Sequence, residues 1–201
     1  MWEATSAFFN RLLEGPALHF DLPILDWIAE NLRCPALDFI LKNLTQLGST
    51  VAVIGLALLL LCFKKTRKMG LSVGIFLIFC GLISNLLLKP MIGRIRPYDL
   101  QESLGKTVEV LAKRLADGSC PSGHSVAVFG SAMAITLNDK RWGVLAFALA
   151  VIVGFSRIYL YMHYVTDVLF GAAVGILLGW IGCMIADKLY PVIEAKLTKK
   201  Q

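Results

Sequence analysis

The sequence predicts an all-α, polytopic membrane helix bundle, and three observations carry that reading. Hydrophobic residues make up 57% of the 201 residues, against roughly 45–50% in an ordinary soluble domain. They gather in runs close to the roughly 20 residues that a helix needs to cross a bilayer. Charged residues, 17% of the chain, fall mainly at the borders of those runs, as expected where burying an ion in lipid is costly.

Residues 1–43 form the first unit. Ile24, Ile28 and Leu32, then Leu37, Ile40, Leu41 and Leu44, recur at helical spacing, with Pro23 and Pro35 as breaks. This pattern predicts amphipathic helices lying at the membrane surface. A sixth span over 24–48 is the alternative. It would bury Asp26, Glu30, Arg33, Asp38 and Lys42, at roughly 2.5–3.5 kcal/mol for each Asp, Lys or Arg at mid-helix. With no basic stretch leading directly into an apolar core, the start of the chain does not read as a cleaved signal peptide.

Residues 44–190 form the transmembrane core, with spans at 44–63, 69–88, 121–138, 142–161 and 168–186. The third is the shortest and carries His124 near its start. Between the second and third lies the long loop 97–120. Its Val108, Leu111, Leu115 and Ala116 stand at near-helical spacing among charges, predicting a short amphipathic cap. Gly171, Gly175 and Gly179 repeat every four residues on the last span, which lets another helix approach closely. Packing within one chain is favoured over a dimer face, and the oligomeric state stays undetermined. Residues 191–201 read as a basic tail.

Orientation follows from the cations. Lys64, Lys65, Arg67 and Lys68, then Lys140 and Arg141, then Lys188, Lys196, Lys199 and Lys200 lie in segments that alternation puts on one side. The positive-inside rule makes that side cytoplasmic. The expected location is the plasma (inner) membrane, with the N-terminus and the loop 97–120 outside and the C-terminus inside. The net charge of +6 is accounted for by this bias. It does not form an aromatic-interleaved face, so no nucleic-acid partner is expected.

The five cysteines are odd in number and scattered, so they form no disulfide framework or paired metal site. A Cys34–Cys120 bridge is the one pairing left open.

The chemistry lies at the outer borders of the spans. Pro121 opens a helix, and Ser122, Gly123 and His124 follow at its positive end, where backbone N–H groups and a hydroxyl can hold an anion. A protonated His124 can give its proton to a departing oxygen. His163 and Asp167 are four apart, so a carboxylate can fix the imidazole tautomer and free the other nitrogen as a nucleophile. Half of a zinc site is the competing reading of this pair, but clear paired ligands are missing, so no metal and no cofactor is expected. Lys89, Arg96 and Arg157 can neutralise the equatorial oxygens of a phosphoryl group in transfer. Snorkelling towards headgroups explains any one of these cations alone. Their coincidence with two histidines on one side favours an anion site.

Taken together, Lys89-x6-Arg96-Pro97, Pro121-Ser122-Gly123-His124 and Ser156-Arg157-x5-His163-x3-Asp167 resemble the three-part signature of the type 2 phosphatidate phosphatase superfamily. The resemblance runs from about 89 to 167 and leaves the N-terminal segment undiagnosed. It implies metal-independent hydrolysis through a phosphohistidine on His163, oriented by Asp167, with His124 protonating the leaving group. It further implies phosphate binding by Lys89, Arg96, Ser122, Gly123 and Arg157. Arg94 falls outside the spacing and is left as a headgroup contact. The superfamily also holds vanadium-dependent haloperoxidases, which are larger soluble proteins.

The expected function is therefore an integral membrane lipid phosphatase. Its substrate would be a lipid mono- or diphosphate: undecaprenyl diphosphate, phosphatidate or phosphatidylglycerol phosphate, with a mild preference for the first. The alternative is a non-catalytic carrier or binding protein for phosphorylated lipids, which would keep its function when His163 is replaced. No internal symmetry of the kind common in transporters is present.

Overall fold

The computed structural model describes residues 2–198. Among them there is no strand. Three helices are long and apolar enough to cross a membrane: Arg67–Ser103, Lys140–Tyr159 and Val165–Lys196. A further pair, Pro35–Gly48 and Thr50–Cys62, passes the same test together, with a bend of 57° between its parts.

The chain opens with α1 (Trp2–Pro16), which runs through a wide π turn (Ala17–Asp21) into α2 (Leu22–Asn31). After a break, α3 (Pro35–Leu44) and a tight 3₁₀ turn (Thr45–Gly48) lead to α4 (Thr50–Cys62). Ser49 caps α4 by accepting from the Ala52 N–H. Helix α5 (Arg67–Phe79) continues through a π segment (Cys80–Leu88) into α6 (Lys89–Ile92), which Gly93 ends in a left-handed conformation, φ 55°. Then follow α7 (Pro97–Ser103), α8 (Gly123–Asn138), α9 (Lys140–Tyr159) and α10 (Val165–Thr198). The basic tail read from 191 onwards continues α10 as far as 198, and Lys199, Lys200 and Gln201 lie outside the described residues.

Helix α8 is the central element, packed mainly against α10 and α9. Its sequence explains this. Ala127, Ala132 and Ala134, with Gly130, Ser125 and Ser131, are buried, whereas Val51, Leu58, Val144, Leu145, Val151 and Leu169 of other helices point outwards. Large apolar side chains outside and small ones inside suit a lipid solvent, which gives helices no hydrophobic reason to associate and so leaves packing to close backbone contact. A Cβ on Gly175 would stand 2.5 Å from the Val126 carbonyl oxygen, and one on Gly179 would stand 2.2 Å from that of Gly130. The glycine stripe therefore packs within the chain, against α8.

The loop after α7 departs from the sequence reading: residues 104–122 contain no helix. Their backbone groups are claimed by tertiary partners instead. The Tyr98 hydroxyl donates to the Leu115 carbonyl at 3.0 Å and accepts the Leu115 N–H, also at 3.0 Å. Arg33 donates to the Glu109 carbonyl at 2.9 Å, and Ser119 N–H to the Arg94 carbonyl at 2.8 Å. With those groups taken, the i to i−4 ladder is not formed. Val108, Val110 and Leu111 pack on a cluster of Leu25, Ile28, Leu41, Tyr159, Leu160 and Tyr164, so α2, α3 and the loop share one core at that end of the bundle. Cys34 and Cys120 are both free, the first exposed and the second buried.

The close approach of α8 and α10 is tested by Gly179→Ala, whose Cβ has no room. It should lower the thermal midpoint in detergent by roughly 2–12 °C, as overpacking of about 1–3 kcal/mol implies. Gly74→Ala, with nothing within 4 Å of the new Cβ, should not lower it.

Candidate active site

The turn between α9 and α10 presents His163. Tyr161 adopts φ 61°, a left-handed conformation that costs a non-glycine residue about 1–2 kcal/mol. Tertiary contacts hold it there: its hydroxyl donates to Asp26 at 2.5 Å and accepts from Gln101 at 3.0 Å. Because α10 begins at Val165, His163 precedes the helix rather than lying on it. Its Nδ1 is 2.8 Å from the Ser119 carbonyl oxygen and 3.7 Å from Asp167 Oδ2. A carbonyl oxygen only accepts, so Nδ1 carries the proton and Nε2 keeps a free lone pair. The backbone of Ser119, rather than the carboxylate of Asp167, makes the short bond to the imidazole. Complete burial lowers the pKa of His163 to about 4. The Asp167 carboxylate opposes that shift and the Arg157 and Arg96 charges add to it.

Asp167 stands behind the ring, fully buried. Its Oδ2 accepts from the Ser119 hydroxyl and, at 3.1 Å, from the Tyr164 N–H, while Oδ1 accepts from Arg94 at 2.5 Å. The Asp167 carbonyl also accepts the Ser122 N–H at 3.2 Å, tying the start of α8 to the start of α10. Ser122 is the N-cap of α8, receiving the Ser125 hydroxyl at 3.0 Å. Gly123 and His124 form the first turn, where unpaired N–H groups and the helix dipole favour an anion.

Lys89, Gly123, His124 and His163 meet around one cavity of about 250 Å³, together with Asn85. The same cavity runs past Thr50, Ile54, Leu77 and Ala127 into the apolar middle of the bundle. Its charged end suits a phosphate and its far end a hydrocarbon chain. Arg157, in the last turn of α9, donates to Thr45 at 2.9 Å, and its Nε is buried with no hydrogen-bond partner. Such a donor costs about 1–3 kcal/mol until an acceptor arrives, which an anion would supply.

Arg94 and Arg96 lie on an extended segment, so both turn inwards while Ile95 between them is exposed. Arg94 is therefore not a headgroup contact: it is 3% exposed and paired with Asp167 and, at 2.8 Å, with Asp21. Arg96 donates to the Met162 carbonyl at 2.9 Å and to Asp117 Oδ1 at 2.6 Å. Asp117 also takes Lys89. Partial burial opposes ionisation of Asp117, but the hydrogen bonds and charges of Lys89 and Arg96 outweigh it and hold its carboxyl below the usual carboxylate range. Beyond this carboxylate a second cavity of about 630 Å³ is lined by Lys89, Arg94, Arg96 and Asp117.

All the residues singled out in the sequence thus converge on one end of the bundle. Lys89, Gly123, His124 and His163 line the smaller cavity; Ser122, next to Gly123 in the chain, and Asp167, 3.7 Å from His163, are fully buried. Arg96 and Arg157 act on the histidines through their charge. Sequence reasoning missed Asp21, Asp117 and Ser119 and misplaced Arg94. Arg94-x-Arg96 around an exposed apolar residue was the one available signal, through the two-residue period of extended chain.

Known proteins resemble this chain over most of its length. The profile of the PAP2 superfamily matches residues 66–190. The undecaprenyl-diphosphatase BcrC of Bacillus subtilis is 31% identical, over 82% of this chain and 88% of its own. The undecaprenyl-diphosphatase of Sulfolobus acidocaldarius is 27% identical, over 87% and 82%. Among solved structures, a transmembrane PAP2 type phosphatidylglycerolphosphate phosphatase from Bacillus subtilis superposes with a TM-score of 0.70 at 26% identity. That match covers 94% of this chain and 98% of the other. LpxE of Aquifex aeolicus gives 0.66 at 27% identity, covering 81% and 93%.

Asp117 offers Lys89 and Arg96 an internal anion, so an external one must displace it. Asp117→Asn should tighten the binding of inorganic phosphate to the detergent-solubilised protein about tenfold, or ~1.4 kcal/mol, as read by calorimetry. Weaker binding would show instead that Asp117 holds the cations in place.

Proposed function

The chain belongs to the PAP2 superfamily, and from that premise we propose that it removes the terminal phosphate of a lipid mono- or diphosphate through a phosphohistidine on His163. One observation carries the reading. The donated Nδ1 proton of His163 leaves Nε2 free at a cavity it shares with His124, Lys89 and Gly123.

The chemistry follows from those positions. Nε2 attacks the terminal phosphorus, its bond to the leaving oxygen breaks (the bridging oxygen of a diphosphate, or the lipid ester oxygen of a monophosphate), and that oxygen takes the proton of His124. Water then attacks phosphorus, gives a proton to His124, and the phosphorus–nitrogen bond breaks, releasing inorganic phosphate and neutral His163. Lys89, Arg96 and Arg157, with Ser122 and the Gly123 backbone, balance the equatorial oxygens throughout. These cations supply the charge that a metal would otherwise provide, so the reaction is assigned as metal-independent. Asp167 acts behind His163.

Undecaprenyl diphosphate is the substrate we assign first, on the strength of the two undecaprenyl-diphosphatases aligned over most of both chains. Phosphatidylglycerol phosphate is second, since phosphatidylglycerophosphatase B of Bacillus subtilis is 28% identical over 89% of this chain. The deep apolar end of the cavity favours a long tail without choosing its chemistry.

For topology we propose five spans, formed by residues 44–63 (the 3₁₀ turn with α4), α5 with its π segment, α8, α9 and α10, with α1 to α3 at the outer interface. Residues 1–43 are then an interfacial segment, 44–190 the catalytic core and 191–201 a cytoplasmic basic end. The site faces outwards across the plasma (inner) membrane, as the placement of Lys64, Lys65, Lys140 and Arg141 supports.

Purified protein with chelator present should release phosphate from undecaprenyl diphosphate faster than from phosphatidate or phosphatidylglycerol phosphate. His163→Ala should lose on the order of 10³-fold or more of that rate. Equal release by the variant would refute the phosphohistidine route. For sidedness, a cysteine at Lys106, in a background with Cys34 and Cys62 changed to serine, should react with an impermeant maleimide on intact cells, whereas one at Lys140 should react only after lysis. The reverse pattern would invert the topology.

A further inference from the structure

Helices α1 and α2 precede the stretch matched by the PAP2 profile, residues 66–190. Asp21, in the turn between them, is nevertheless fully buried and reaches the group behind the nucleophile. Its Oδ2 accepts from Arg94 Nη2 at 2.8 Å and from the Thr166 hydroxyl at 2.7 Å, and its Oδ1 accepts the Thr166 N–H at 3.0 Å. Arg94 in turn donates from Nη1 to Asp167 Oδ1 at 2.5 Å, and its guanidinium carbon lies 3.8 Å from the Tyr164 ring centroid. A continuous series of contacts thus joins Asp21, Arg94, Asp167 and His163.

The charges along that series matter more than the contacts. Arg94 alone would cancel Asp167. With Asp21 present, two carboxylates face one guanidinium, and the group keeps a net charge of −1 beside a neutral imidazole. When Nε2 bonds to phosphorus while Nδ1 retains its proton, the ring becomes a cation, and the excess negative charge is what balances it. The other charged or titratable groups facing His163 cannot do this. Arg96 and Arg157 are cations, as is Lys89 on the shared cavity wall, and His124 brings no negative charge; the Asp117 carboxylate is taken by Lys89 and Arg96, and burial raises the pKa of the Cys120 thiol beside Asp167, which keeps it neutral. All of these are positioned to serve the incoming phosphate.

We infer that Asp21 is a positioning residue for the hydrolysis: by taking half of the Arg94 guanidinium, it leaves Asp167 with a net negative charge for the cationic phosphohistidine. The N-terminal segment is then part of the catalytic apparatus rather than only an anchor. This inference rests on His163 being the nucleophile.

The experiment compares pH profiles of phosphate release by the full-length protein in detergent: wild type, Asp21→Asn, Asp21→Asn with Arg94→Met, and His163→Ala. Asp21→Asn brings the group to zero charge. It should lower kcat on the order of 10- to 100-fold with KM within about threefold, and move the acid limb of kcat/KM down by about one pH unit. The sign follows because removing a neighbouring negative charge disfavours the protonated ring, so its pKa falls. The double variant returns the group to −1 and should move the acid limb back towards the wild-type position and recover part of kcat. A role confined to packing would move neither limb and would make the double variant no better than the single one. Either of those results, or kcat for Asp21→Asn within twofold of wild type, overturns the inference. Should Asp21→Asn not accumulate in folded form, Arg94→Gln decides against wild type: it keeps amide donors for the two carboxylates but brings the group to −2, so an acid limb raised by about one pH unit supports the inference and an unmoved or lowered one overturns it. Activity in His163→Ala would instead remove the phosphohistidine reading itself, whereas an inactive His163→Ala with an unaffected Asp21→Asn removes only the role of Asp21.

Discussion

The site depends on the contact between α8 and α10. Lipid gives these helices no hydrophobic reason to associate, so they are held by backbone approach. Gly171 lies so close to Ser122 that a Cβ would stand 2.9 Å from its carbonyl oxygen, and the Ser122 N–H reaches the Asp167 carbonyl at 3.2 Å. That contact sets the positive end of α8 against the start of α10. His124 and His163, 39 residues apart in the chain, come to one cavity as a result. A wider separation would leave His124 in the first turn of α8 and His163 in the turn before α10 but remove the cavity they share.

A second constraint is the cost of burying charge. At the end of the bundle that carries His163, Arg94, Arg96, Arg157, Asp21 and Asp167 are all nearly inaccessible, and removing any one partner from such a set leaves an uncompensated ion. The structure meets this by pairing on the acidic side and by holding a donor in reserve on the basic side. Asp21, Arg94 and Asp167 are mutually satisfied, whereas Arg157 Nε awaits an acceptor. The contrast is one of saturation: the closed pairs hold the turn that carries His163, whereas Arg157 keeps one buried donor without a partner. It also explains why an N-terminal segment without any signature residue is docked so firmly on the turn that carries His163.

Much of this was legible in the sequence, for identifiable reasons. The apolar runs at 69–88, 142–161 and 168–186 located the three helices long and apolar enough to cross a membrane, because lipid forces the pattern, and the histidine, arginine and lysine borders located side chains that gather at one end of the bundle, because ions in such places need partners. Asp21 was not legible. It sits 146 residues before Asp167, among acids that look like ordinary interfacial charge, and nothing local distinguishes it from Asp26 or Glu30. The loop helix failed for a related reason. Val108, Leu111 and Leu115 do stand at helical spacing, but Tyr98, Arg33 and Arg96 take up the loop's backbone carbonyls. Long-range hydrogen bonds override local periodicity, and a single sequence does not display them. Arg94 lay between these cases, visible as a charge but not as a partner of Asp167.

Asp117 bears on how a site so rich in cations can turn over. Lys89 and Arg96, with Arg157 nearby, would bind phosphate as product no less than as part of the substrate, and affinity shared equally by substrate, transition state and product adds nothing to kcat. A carboxylate that already bridges Lys89 and Arg96 changes the balance. Its charge must be displaced before phosphate is held, which subtracts a constant amount from every anion, and it is available to retake the cations as inorganic phosphate leaves. Lys89 and Asn85 line both the histidine cavity and the larger one, which Asp117 also lines, so a phosphate freed at His163 by the proposed route would meet this carboxylate if it left by the larger cavity. The cations can then be strong enough to stabilise the transferring phosphoryl group without retaining the product, since each release is a replacement of one anion by another rather than the exposure of bare positive charge.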